Sequence, residues 1–201
     1  MRVNEMIIKS ILTTLGAIAL LFAFMLVMLI GLYPSTMMEI TYDLGMDASS
    51  IRYAERAYDW SNDEYFMAHA MEVAIGMKNV EKIDECGEKL ISDGEFSDYC
   101  TRKNQSLPAG VTMTYEQYVY GQVCVAKYKS GKKIEAVNRA VELLQGFPEN
   151  NALVAVLYSA LAQGDTETIV LINEKMVALD VSSFTIEEQT YYQSILSLIH
   201  I

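Results

Sequence analysis

The chain's stock of reactive side chains is small: three cysteines, Cys86, Cys100 and Cys124, and two histidines, His69 and His200. No two cysteines form a CxxC pair, so the residues offer no zinc-ligand spacing. Cys124 falls in an apolar helical pattern and reads as a small core residue. The carboxylates of Asp93-Gly-Glu-Phe-Ser-Asp98 sit in a turn-like stretch, but their spacing is not that of a calcium loop. Glu187 with Glu188, and Asp84 with Glu85, read as solvated helix faces rather than as an acid and base pair. His69, in MAHAMEVA, has no acid or nucleophile at fixed spacing and reads as a packed or surface histidine. No GxSxG elbow, HExxH pair, EF-hand loop or phosphate-cradling glycine loop is present. The expectation is a protein that is not an enzyme, with no cofactor, no metal and no catalytic residue; only a site assembled from distant residues would escape this reading.

With chemistry set aside, the elements that must carry any function come forward. From Ser10 to Met38 there is no charged residue, and Ile11 to Leu32 reads ILTTLGAIALLFAFMLVMLIGL. At about 1.5 Å per residue this segment is roughly 33 Å long, close to the roughly 30 Å hydrocarbon thickness of a bilayer. Its length exceeds a signal-peptide apolar region, and Tyr33-Pro34 follows instead of a small-residue cleavage site, so it reads as an uncleaved signal anchor. Arg2 and Lys9 precede it and nothing basic follows until Arg52, which predicts a cytoplasmic N-terminus and an extracytoplasmic remainder in the cell membrane. Gly16, Ala19 and Ala23 fall at i, i+3 and i+7, a small-residue face on which another membrane helix could pack.

The first 38 residues hold Arg2, Lys9 and Glu5, so the remainder carries a formal charge of −12 against −11 for the whole chain. That acidity argues against nucleic acid and against electrostatic docking on anionic lipid. It fits solubility, or a basic partner surface. The expected organisation is a cytoplasmic tail at 1–10, a transmembrane helix at 11–32, a juxtamembrane connector at 33–47 and one all-α domain at 48–201. An extracytoplasmic location would permit a Cys86 to Cys100 disulfide.

The domain breaks into helix-length pieces near 48–60, 62–76, 79–92, 114–130, 132–146, 151–163, 166–179 and 186–200. Ser61-Asn-Asp-Glu64, Thr114-Tyr-Glu-Gln117 and Thr185-Ile-Glu-Glu188 fit the capping box, and Asp165 can cap the piece behind Gly164. Apolar residues recur at helical spacing, as in Ile134, Val137, Val141 and Leu144, and no segment alternates like a strand. Most gaps are short, which makes neighbouring helices antiparallel. The exception is 92–113, with Gly94, Pro108 and Gly110, expected as a long loop or junction; its Asn104-Gln-Ser106 is a formal glycosylation acceptor.

Tyr120-x-x-Val123-Cys124, followed by Gly131, Ala136, Ala140 and Pro148, repeats in outline 34 residues later as Val154-x-x-Leu157, Gly164-Asp165 and a second helix from Thr166 to Leu179. This pattern resembles the tetratricopeptide repeat, chiefly over residues 118–181. Lys127 stands where the family usually has tyrosine, Tyr158 where it has a small residue, and Val181 where it has the closing proline. The resemblance implies a stack of helix hairpins whose first helices line a concave groove that binds other proteins. In that register Tyr118, Tyr128 and Lys129 face the groove; the alternative is that the tyrosines fill the packing between helices. The last piece ends QSILSLIHI, and its Leu198 and Ile201 leave it under-capped for a solenoid end, as though covered by the domain, by a partner or by a second copy. The expected function is therefore a membrane-anchored protein-interaction module, a scaffold, adaptor or accessory subunit. An obligate membrane-bound oligomer is the alternative.

Overall fold

A computed structural model describes residues 3–199, with side chains from residue 6 onward. Among these residues the regular structure is helix alone. The chain forms two compact units, Met1–Asn62 and Asp63–Ile201.

The first unit contains α1 (Val3–Leu32), α2 (Pro34–Asp43) and α3 (Asp47–Ser61). Within α1, Met6–Leu32 is long and apolar enough to cross a membrane, and the structure covers none of its central window. Gly16, Ala19 and Ala23 are all exposed on it, and Gly16 has open space where a Cβ would sit. The expected connector at 33–47 is mostly helix. Pro34 is pre-set for the first turn of α2, and Gly45, at φ +68°, ends that element by letting Met46 N–H reach the Thr41 carbonyl. Where α2 packs on α3, Met38, Ile51 and Ala54 are all buried, and Ser50 Oγ donates to the Met38 carbonyl at 3.2 Å. The boundary between units thus follows α3, at Asn62, instead of preceding it at residue 48.

The second unit runs α4 (Glu64–Gly76), α5 (Val80–Ile91), α6 (Phe96–Gln105), α7 (Tyr115–Lys129), α8 (Lys133–Gly146), α9 (Ala152–Gln163), α10 (Thr166–Val177) and α11 (Ile186–Ile199). Consecutive pairs α4/α5, α7/α8 and α9/α10 pack together across short turns, and α7 also packs on α5 and α9. The expected loop at 92–113 is corrected: α6 occupies its middle because Phe96, Tyr99 and Cys100, at i, i+3 and i+4, form one buried face.

The capping boxes at Thr114 and Thr185 both form. At Ser61 the box does not. Ser61 ends α3, and Asp63 caps α4 by accepting from Tyr65 N–H. Asn104, the formal glycosylation acceptor, uses its amide oxygen on Tyr115 N–H at 2.7 Å and so tethers α6 to the start of α7.

Cys86, Cys100 and Cys124 are buried and none is in a disulfide, so there is no Cys86 to Cys100 bridge. Burial pushes Cys100 and Cys124 up to about 12, so neither is a thiolate at neutral pH.

The tightest approach is at Gly87 of α5, where a Cβ would lie 2.2 Å from Val123 Cγ2 and 3.2 Å from Met71 Sδ. Gly87→Ala is therefore expected to destabilise the chain by about 1 to 2 kcal/mol, because overpacking outweighs alanine's better helix propensity. Urea unfolding followed by circular dichroism reads this out. A neutral or stabilised variant would contradict the close approach.

Candidate protein-binding surface

Helix α7 is central to the second unit because it presents a different chemistry to each neighbour. Tyr118, Gln122, Val125 and Lys129 stand at i, i+4, i+7 and i+11, one stripe of a 3.6-residue helix. Tyr118, Gln122 and Val125 are half-buried and Lys129 is exposed. Gln122, Val125, Ala126 and Lys129 form one wall of an open cleft of about 400 Å³, and Ile75, Lys78, Val80 and Ile83 form the facing one. Neither Lys78 nor Lys129 has an ion-pair partner among the described residues. In so acidic a chain, this leaves two cationic groups on the rim of an apolar floor.

At the other end of the stripe the Tyr118 ring lies tilted against Tyr115, with centroids 6.0 Å apart, and Tyr115 meets Tyr99 edge-on at 5.8 Å. The Tyr115 hydroxyl donates to Glu72 Oε1 at 3.0 Å, and Lys103 Nζ lies over both the Tyr99 and Tyr115 rings. Burial, then the nearby Glu72 carboxylate, raises both phenols well above their ordinary value, so both stay neutral at physiological pH. Tyr118 is thus the accessible edge of a largely buried aromatic cluster.

Tyr128 does not join this surface. It is 2 % exposed, and its hydroxyl donates to Asp165 Oδ2 at 2.9 Å. Of the three expected groove residues, the structure brings Tyr118 and Lys129 onto one stripe and puts Tyr128 into the packing between helices. The same Asp165 accepts from Thr168 and pairs with Lys133 Nζ at 2.7 Å, tying α7 and α8 to the start of α10.

The expectation of a solvated Asp84 is also corrected, since its side chain is 7 % exposed. Lys127 Nζ lies 2.5 Å from Asp84 Oδ1 and 3.2 Å from Glu88 Oε1, while Lys132 takes the other Asp84 oxygen at 2.9 Å. Arg139 grips Glu88 through two bonds of 3.0 and 2.7 Å. Burial lowers the Lys127 value, but the bonds to Asp84 and Glu88 outweigh it and leave the ammonium held above its ordinary range. The lysine that departs from the repeat pattern is therefore the clamp between α5 and α7. Tyr158, a second departure, is accommodated by facing outward.

On α11, Tyr192 and Ile195 are buried, and Leu198 is half-buried against the core built from α7 to α11. Leu198 is thus partly covered by its own domain. Ile201 lies outside the described residues, as does His200. No group of three or more His, Cys, Asp or Glu side chains among the described residues could hold a metal ion.

Sequence reasoning missed Tyr115, Glu72, Lys78 and Lys103. The first carried a signal, because an aromatic directly after the Thr114 cap starts the same stripe as Tyr118. The others are brought in by tertiary packing.

Among the described residues the chain is all-helical, with an N-terminal helix long and apolar enough to cross a membrane and with neighbouring helices packed in consecutive pairs. Comparison with protein-family models, with curated proteins and with solved structures finds no match.

Proposed function

We propose that this protein is a membrane-anchored, tetratricopeptide-like interaction module. In this reading α1 crosses the bilayer with its N-terminus in the cytoplasm, as the bias of Arg2 and Lys9 suggests, and the helix pairs face the extracytoplasmic side. The module acts as a scaffold, adaptor or accessory subunit by holding a segment of another protein along α7. The observation that carries the proposal is the α7 stripe: a half-exposed tyrosine on a buried aromatic cluster, an apolar cleft, and Lys78 and Lys129 at its rim, without ion-pair partners among the described residues. Tyrosine and cationic residues around a desolvated floor are the composition from which interface hot spots are built.

The competing reading is an obligate oligomer packed through Gly16, Ala19 and Ala23, which α1 leaves exposed. Purification of tagged chain in mild detergent separates the two. Tyr118→Ala with Lys129→Glu should weaken recovery of a specific co-purifying protein by about tenfold or more, with helical content and oligomeric state unchanged. Retention of the partner by this variant would sink the assignment. Loss of a self-assembly on Gly16→Leu, with no other protein recovered, would favour the oligomer.

A further inference from the structure

The end of α1 poses a hydrogen-bonding problem that a residue far along the chain solves. The last carbonyls of a helix lack intrahelical donors. Here the deficit is worse, because the N–H that would serve the Ile30 carbonyl belongs to residue 34, a proline. Arg56 of α3 fills the gap: Nη1 donates to the Ile30 carbonyl at 3.2 Å and Nη2 to the Gly31 carbonyl at 3.1 Å. A guanidinium has five N–H donors, so others remain for a further acceptor. Trp60, one turn on, is 55 % exposed with its ring 5.2 Å from Arg56 Cζ, and Tyr33, the first residue past α1, is also exposed.

Arg52, Arg56 and Trp60 fall at i, i+4 and i+8, and all three are exposed on one stripe of α3. This stripe is therefore pinned at the level where the apolar span stops. Tryptophan, tyrosine and arginine are the side chains that settle at the boundary between acyl chains and water, with an apolar body on one side and polar groups on the other. We infer that the Arg52, Arg56, Trp60 stripe and Tyr33 form a membrane-surface anchor whose partner is the phospholipid headgroup layer, the free guanidinium donors facing lipid phosphate. The inference rests on the reading that α1 spans a bilayer. It adds that α3 lies on that bilayer's surface and is not free in water.

Trp60 is the only tryptophan in the chain, so its fluorescence reports on this stripe alone. The full-length protein is reconstituted into vesicles of equal parts phosphatidylcholine and phosphatidylglycerol, with the phosphatidylcholine brominated either near the acyl carbonyls or deep in the chains. The expected result is blue-shifted emission, quenched more by the shallow bromines than by the deep ones. Arg56→Ala should shift the emission to the red and cut the shallow quenching by about half, as α3 loses its hold on α1. The variant Tyr33→Trp/Trp60→Phe moves the probe to the end of α1 and fixes the reference depth. Protein that floats with the vesicles after an alkaline wash, yet shows Trp60 emission typical of water and no quenching by either lipid, would overturn the surface anchor while leaving the span intact. Protein that does not float would overturn both.

Discussion

Replacing Lys127 with methionine should lower the stability of the helical unit by about 3 kcal/mol, because it leaves Asp84 buried with only the half-exposed Lys132 for a partner. The loss should be largely reversed by a second change, Asp84→Leu. Glu88 keeps both bonds to Arg139, Lys132 returns to solvent, and a methionine beside a leucine can pack where two desolvated charges stood. Urea midpoints of full-length chain in detergent micelles, followed by circular dichroism, measure all the corners of this cycle; Trp60 is in the other unit and would not report it. A single variant within about 0.5 kcal/mol of the parent would show that the pair is solvated and contributes as little as a surface ion pair. Because the folded state holds the Lys127 ammonium above its ordinary value of 10.5, the contribution is complete at neutral pH and disappears only as pH rises through the raised value.

The second large effect is expected at Asp165. Asp165→Ala removes the cap of α10 and the ion pair to Lys133, and it strands the buried Tyr128 hydroxyl, a combined cost of about 3 kcal/mol. The pH dependence has a definite sign. Lys133 first, then Thr168 and Tyr128, hold the carboxyl well below its ordinary value of 3.8, opposed by burial. A depressed carboxyl contributes in full above its unfolded value and loses the contribution as pH falls toward its folded one. The gap in urea midpoint between parent and Asp165→Asn should therefore be widest near neutrality and shrink below about pH 4. A gap that stayed constant through acid would contradict the depressed carboxyl.

Much of this architecture is legible in local pattern. The apolar run behind Lys9 and the helix pieces around the Thr114, Asp165 and Thr185 caps rest on spacing and hydrogen bonds within a few residues, and the structure keeps them. What was not legible depends on distance. The 92–113 stretch reads as a loop because glycine and proline bracket it, yet Phe96, Tyr99 and Cys100 find burial against α4 and α7 and form α6. Asp84 reads as solvated because acidic residues usually are; its burial needs Lys127, which is 43 positions away. Tyr128 and Tyr118 share a helix and a residue type, but one meets Asp165 and the other the edge of the aromatic cluster. No local signal separates them. Arg56 is the extreme case, since its partners are carbonyls at the end of a helix whose missing donor is only implied by Pro34.

The central claim is that α7 carries the contact surface of a module held at a membrane. It is tested most directly by placing a photoreactive phenylalanine analogue at Tyr118, and separately at the exposed Val177 of α10, and irradiating intact membranes. The account predicts one discrete adduct with a different protein from position 118, lost when Lys129→Glu is added, and none from position 177. Adducts with lipid alone, or the same adducts from both positions, would contradict it.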